Sequence, residues 1–389
     1  AAIFASLSVI FTSRLDCSAP ASVLNIVNRL DNLNLKFICV SEGDSPMVAA
    51  AFDRPAATKP KRSRKLPSPR RVGGTLTLEA FDQKYLPMIE TALEKQVSGD
   101  NRDTILKSLE GGKRLRALLA MLTYKGCNGD DDAKGVKTAV AAELSHVASL
   151  VKDDILDKDP TRRGNPALWV EKGPVEAMRT ADTMIITAIE SVFEFPKNII
   201  GTLLGGWKTS WQGESQDYSI VKGLQQVNGP FYDMYMKVIK RKTASLFATA
   251  AKMGAQTASA TEEDARKIYA YGEDVGIVYQ LADDVVDFKR GKFELLPALA
   301  LAQLDQTLKE QFLGAISQGK MNIGEAVIGT GINIEQFLKS ELKARLKKVD
   351  TQVGQMDFLV EKYKPLIAQF PGKAVRSMLA ELKMESFLE

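Results

Sequence analysis

From Leu76 onward, apolar residues return every three to four positions, and the two-residue alternation of a strand is scarce. That period predicts long helices over Val136–Leu156, Val175–Phe193, Tyr232–Lys252 and Glu262–Phe288. Breakers fall between helix-length segments, at Gly111-Gly112, Gly126 to Asp132, Pro160 to Pro166, Gly173-Pro174, Gly205-Gly206, Gly229-Pro230 and Gly291 to Pro297. Helices of this length suit an all-α fold, a single large bundle around one core. No internal repeat has a fixed period.

Composition separates this part from what precedes it. Hydrophobic residues make up 45% of the 389 residues and charged residues 26%, enough apolar material for a sizeable core. The net charge of +4 is set by one run. Arg54, Lys59, Lys61, Arg62, Arg64, Lys65, Arg70 and Arg71 stand together with no acid among them. Without those eight positive charges the remainder carries −4, which gives no support to a nucleic-acid partner. The apolar stretch Ala1–Phe11 and the Pro-broken, self-repelling run KPKRSRKLPSPRR read as a disordered leader and linker over residues 1–72, ahead of one domain over 73–389. An organelle transit peptide, plastid or alternatively mitochondrial, accounts for both features. Asp16, Asp31, Glu42 and Asp44 are more acid than a plain transit peptide carries, so a two-part import signal or a solvated tail without a role stays open. Two of the three cysteines, Cys17 and Cys39, lie in that leader, so a disulfide framework is not expected. No run of 18 apolar residues occurs, so no transmembrane segment is expected.

The chemistry concentrates at two helix ends. In ELSHVASLVKDDILDKDPTRRG (Glu143–Gly164), Asp153 and Asp157 are four apart and share a helical face. His146, two turns earlier, falls on the same face. Stacked carboxylates repel each other, and a helix C-terminus is unfavourable to anions. The placement therefore asks for a cation, and hard divalent ions prefer carboxylate oxygen. The second end, GEDVGIVYQLADDVVDFKRGK (Gly272–Lys292), repeats the arrangement with Asp283 and Asp287, Gln280 and Asp284 sharing the neighbouring stripe. One such cluster is ordinarily a solvated face. Two of them, 130 positions apart and each followed by basic residues, are not explained that way.

With GGKRLR (Gly111–Arg116), SHVASLVKDDILD and RRG (Ser145–Gly164), GESQD (Gly213–Asp217), KTASL (Lys242–Leu246) and YQLADDVVD (Tyr279–Asp287) in this order, the chain resembles the trans-isoprenyl diphosphate synthases from about Leu106 to Ala300. The resemblance implies the isoprenoid synthase fold, with both aspartate ends facing a central cavity. It implies Mg2+ held chiefly by Asp153, Asp157 and Asp283, with Asp154, Asp284 and Asp287 in support. Arg162, Lys242, Thr243 and Gln280 would contact the allylic diphosphate. Lys113, Arg116, His146 and Arg163 would receive isopentenyl diphosphate, and Lys292 would close over the site. Homodimerisation is likewise implied. The residue types agree, because two diphosphates bring about five or six negative charges that Arg forks and Lys ammoniums suit.

The implied reaction ionises the allylic diphosphate, adds isopentenyl diphosphate and loses a proton, giving a geranylgeranyl or longer product. Length is attributed to Ala148 and Ser149, whose small side chains leave the tunnel open, so Ala148→Phe is expected to shorten the product. Lys152 stands where the resembled family commonly has His, beside the metal ligands, and the loop between Asp287 and Gly291 is short. The alternatives are a class I terpene cyclase or other prenyltransferase of the same fold, or a non-catalytic partner subunit. Two intact aspartate ends speak against the subunit, and a second anion-binding set speaks against the cyclase.

Overall fold

The helices begin where side chains can satisfy their first amide groups. In the computed structural model, the Thr77 hydroxyl accepts the Ala80 N–H at the start of α1 (Leu78–Gln96). The Asp131 carboxylate does the same for Ala133 at the start of α4 (Asp132–Asp157). Thr261 caps Asp264 at the start of α10 (Glu262–Lys289), whose first turn carries Glu262, Glu263 and Asp264 against the helix dipole. The structure describes residues 76–223, 230–292, 295–302, 304, 306–318, 320–321 and 323–384. The expected leader, transit peptide and basic linker lie outside them.

Between these anchors run α2 (Arg102–Leu109), α3 (Leu115–Gly126), α5 (Leu168–Lys172), α6 (Pro174–Ser191), α7 (Lys197–Gly223), α8 (Phe231–Ile239) and α9 (Ser245–Thr257). After α10 come α11 (Leu295–Ala302), α12 (Gln306–Ser317), α13 (Ile323–Gly329), α14 (Ile334–Gly354) and α15 (Lys364–Leu379). The expected all-helical architecture is what forms. The expected helix over Tyr232–Lys252 is instead two helices, α8 and α9, joined by a π-helical turn over Lys240–Ala244. Among the described residues no helix is long and apolar enough to cross a membrane.

Burial explains the layering. In α3 every residue except Lys125 is buried, so this helix is wrapped on all sides, by α4, α9 and α15 among others. One apolar cluster joins α1, α3, α4, α6 and α9 to the first half of α10. A second joins α8, the second half of α10, α11, α14 and α15. The long α10 therefore belongs to both clusters. Asp274, buried on α10, is fixed by Arg345 at 2.9 Å and by Lys348 and Gln352, all on α14.

Two local results depart from the sequence pattern. The expected break at Gly205-Gly206 does not occur, and α7 runs straight through it. A Cβ at Gly206 would stand 1.8 Å from Thr249 Oγ1, so the glycine serves close packing of α7 on α9. Two turns on, a Cβ at Gly213 would lie 2.2 Å from the Lys242 backbone nitrogen. The RRG loop closes a short hairpin, Thr161–Arg162 against Asn165–Pro166. Arg163 and Gly164 take its two positive-φ positions at 53° and 78°.

Gly213→Ala puts a methyl group into the backbone of the π turn, with no flexible side-chain end to yield. It is expected to lower the stability read by urea denaturation by about 1–3 kcal/mol. An unchanged midpoint and slope would show that α7 and this turn are not in contact.

Candidate active site

The C-terminal end of α4 carries the first acidic cluster. Lys242, on the π turn, places its ammonium 2.6 Å from Asp217 Oδ2, 3.1 Å from Glu214 Oε1 and 3.3 Å from Asp153 Oδ1. Burial works against that charge, but the three carboxyl groups outweigh it and hold Lys242 well above its ordinary range. Burial alone would push Asp153 up. Lys242, a hydrogen bond from Glu214, and Arg162 reverse the effect and keep Asp153 ionised. Glu214 shifts the opposite way: burial, only partly offset by Lys242, and the charge of Asp153 raise it above the ordinary carboxyl range. Asp157 is raised by burial and then by Asp153.

Oxygens of Asp153, Asp157 and Glu214 all lie within 4.8 Å of one another. Hard oxygen donors at this spacing fit a divalent cation.

Asp154 plays a different part. It accepts two hydrogen bonds from Arg162, one of them from Nε at 2.7 Å, and burial raises it to about 6 despite them. The hairpin thus turns Arg162 back onto α4, where it also reaches Asp153 Oδ2 at 3.5 Å. Arg163 points the other way and donates to the Glu110 carbonyl at 2.8 Å, at the end of α2.

The second cluster lies on α10. Burial and then Asp287 push Asp283 up to about 6. Gln280 donates to Asp283 at 3.3 Å and Asp284 at 3.1 Å, and its carbonyl accepts from the Thr243 hydroxyl. Asp284 also accepts from Tyr235, inside the second apolar cluster. Asp287 holds Lys292 at 2.9 Å. Lys242 and Thr243 are consecutive, so one turn touches both clusters. Lys242 meets Asp153, and Thr243 meets the glutamine on Asp283. The two ends are joined through this turn, and Asp283 in turn responds to the charge of Lys242.

Beneath the first cluster is a cavity of about 440 Å³, its open mouth included, lined by Arg116, His146, Ser149, Trp207, Trp211 and Lys242 among others. Arg116 donates to His146 Nε2 at 3.0 Å, and its guanidinium lies 4.1 Å over the Phe247 ring. Burial, and then Arg116, depress His146 far below the ordinary histidine range, so the ring is neutral. Since Nε2 accepts, Nδ1 carries the proton, and it makes no hydrogen bond among the described residues.

The structure therefore brings Arg116, His146, Ser149, Asp153, Lys242 and Thr243 to one cavity, with Asp157 and Arg162 at its rim and Gln280 and Asp283 reached through the π turn. Lys113 is elsewhere occupied, donating to the Ser377 carbonyl at 2.7 Å and to Glu381 at 2.9 Å. Ala148 is fully buried in the apolar core and is absent from the cavity lining, whereas Ser149 is present. Phe at Ala148 would overpack that core before it narrowed the cavity. Lys152 does not sit among the acidic ligands but pairs with Asp182 on α6. Sequence reasoning assigned no role to Glu214, Asp217, Trp207 or Trp211. The signal for the two acids was in GESQD, where they stand three apart on one helical face.

The site is thus a long-helix bundle that joins two aspartate-rich helix ends through one turn, the architecture of a class of helical enzymes. The comparisons agree. The polyprenyl synthetase family matches residues 102–295. A short chain isoprenyl diphosphate synthase from Methanothermobacter thermautotrophicus is 28% identical, covering 62% of this chain and 81% of that protein. Component 2 of the Geobacillus stearothermophilus heptaprenyl diphosphate synthase is also 28% identical, covering 78% and 96%. The structure of a Caulobacter crescentus polyprenyl synthase, complexed with calcium and isoprenyl diphosphate, superposes with a TM-score of 0.66 at 23% identity, over 79% and 99%. The chain belongs to the polyprenyl synthetase family, and its fold is the isoprenoid synthase fold.

His146 is the only histidine in the chain. Its folded form resists protonation, while in the unfolded chain it protonates below about pH 6.5. The unfolded state then binds the extra proton, so this contribution to stability falls as pH drops, by about 1.4 kcal/mol per unit. His146→Gln keeps an acceptor for Arg116 and removes the term. Denaturation of both proteins between about pH 7.5 and about pH 5.5 is expected to show the wild type losing stability relative to His146→Gln as the pH is lowered. A pH-independent difference would mean that folding leaves the affinity of His146 for a proton unchanged.

Proposed function

We propose that this chain is a magnesium-dependent trans-prenyltransferase, joining isopentenyl diphosphate to an allylic diphosphate and carrying the product to geranylgeranyl length or beyond. The π turn supports this best, since it sets Lys242 on one aspartate end and Thr243 on the glutamine of the other. Asp153, Asp157 and Glu214 would hold magnesium on one side, and Asp283 with Asp287 on the other. When bound, the metal supplies positive charge against the leaving diphosphate.

The chain's own residues account for the rest. Lys242 and Arg162 present fixed positive charge at the mouth, where charge develops on the leaving oxygen. Arg116 and the unengaged Nδ1–H of His146 offer two donors to a second diphosphate. The isopentenyl double bond then attacks the allylic carbon, and the proton lost from the adduct passes to an oxygen of the departed diphosphate. No side chain is needed as base, and His146 as a donor is in the wrong form to be one. Trp207, Trp211 and the neighbouring leucines keep water from the cation.

The Arg116–His146 set favours elongation over cyclisation, because a cyclase needs no second diphosphate pocket. The longer product rests on relatives such as the heptaprenyl synthase, whose naming as a component raises the partner-subunit reading. Both acidic ends are intact here, which supports an active subunit, and we propose that it works as a homodimer.

The protein, labelled isopentenyl diphosphate, an allylic starter and magnesium are expected to give labelled prenyl diphosphates. EDTA is expected to abolish the product and added magnesium to restore it. Release of cyclic hydrocarbon without label would favour the cyclase, and inactivity until a second subunit is added would favour the partner reading. Separately, Lys242→Ala is expected to lower kcat about 10²–10³-fold. A variant with raised KM and unchanged kcat would mean that Lys242 binds substrate without stabilising the transition state.

A further inference from the structure

The lower wall of the cavity is aromatic and is braced by a charge. Along α7, Trp211 stands three residues before Glu214 and Trp207 seven before it, so the three share a face. Both indoles line the cavity, as do Ser149 and Leu150 from α4. Lys152 reaches them from α4. Its ammonium lies 5.7 Å from the ring of Trp207 and 5.7 Å from that of Trp211. On its other side it meets Asp182 Oδ1 at 2.6 Å, and its side chain is only 11% exposed.

That combination does more than fill space. Each ammonium–ring contact is an electrostatic attraction between the charge and the ring face. Asp182 anchors the ammonium, so the two indoles are held from behind by α4 and α6 together. An apolar chain lengthening into this wall must rotate two large rings out of contact with the lysine. It must also bring hydrocarbon against a charge that has little water left to compensate it. The small side chain of Ala148 does not offset this, because Ala148 is buried in the core and is not among the cavity-lining residues.

We infer that Trp207 and Trp211, positioned by the Lys152–Asp182 ion pair, form the stop that sets product length in this chain. The inference rests on the prenyltransferase reading for its substrate, a prenyl diphosphate growing from the mouth toward α6 and α7. Trp207 and Trp211 are the specificity residues, and Lys152 and Asp182 are positioning residues.

The test sizes dephosphorylated products from the full-chain protein with labelled isopentenyl diphosphate and farnesyl diphosphate. Trp207→Ala and Trp211→Ala are each expected to move the main product up by at least one isoprene unit. Lys152→Met, which keeps the side-chain length and removes the charge, is expected to broaden the distribution toward longer products. A role confined to stability would lower total turnover and leave the distribution alone. In parallel, calorimetric binding of geranyl, farnesyl and geranylgeranyl diphosphate and longer homologues is compared between wild type and variants. The length at which affinity falls is expected to move up by one unit in the tryptophan variants. Unchanged product lengths together with an unchanged binding cut-off overturn the inference. Should the wild type condense nothing, the prenyltransferase reading fails, and the binding cut-off alone decides the stop.

Discussion

The site depends on one ammonium among three carboxyl groups. Asp153, Glu214 and Asp217 come from two helices and meet within reach of Lys242. Without a cation this gathering of acids near the C-terminal end of α4 would be repulsive and opposed by the helix dipole. The protein meets that constraint twice over. It supplies Lys242, and burial raises Glu214 so that this carboxyl gives up its proton less readily than Asp153. What remains is a set of carboxyl oxygens from Asp153, Asp157 and Glu214 within 4.8 Å of one another.

The π turn gives this arrangement its reach. A regular helix over Lys240–Ala244 would rotate consecutive side chains by about 100° at fixed pitch. The wider π turn, packed against Gly213, lets Lys242 face α4 and α7 while Thr243 faces α10. Such turns are rare and often lie at functional sites. Here the turn contacts both aspartate ends, through Lys242 to Asp153 and through Thr243 to Gln280. The second end is quieter. Asp284 is tied to Tyr235 and Gln280 and holds shape, leaving Asp283 and Asp287 toward the open side.

Much of this was legible in the sequence. The helices over 132–157 and 262–289 follow from apolar period and capping residues, and the acidic ends follow from a spacing of four. Helical spacing says which residues share a face; it does not say where that face looks. Ala148 and Ser149 differ by one position, about 100° of rotation, and one is core while the other lines the cavity. The same limit hid Lys152, whose partners Asp182, Trp207 and Trp211 are 30, 55 and 59 positions away. Gly205-Gly206 misled for a related reason. Glycine reads locally as a break, yet at Gly206 it is demanded by a neighbouring helix that the local pattern does not contain.

The two ends of the one cavity differ in kind. Around Asp153 it is lined by carboxyl groups, which repel an anion until cations intervene. Arg116 and a neutral His146 carry no such penalty, and burial makes a guanidinium a stronger partner for an anion than it would be in water. Burial lowers Arg116 to about 10, and it remains charged at neutral pH because its rings and neighbouring acids compensate the lost water. Under the proposed prenyltransferase function, an anion at the acidic end would need a cation beside it, whereas one beside Arg116 and His146 would not. That asymmetry would suit a reaction in which one diphosphate leaves and the other stays.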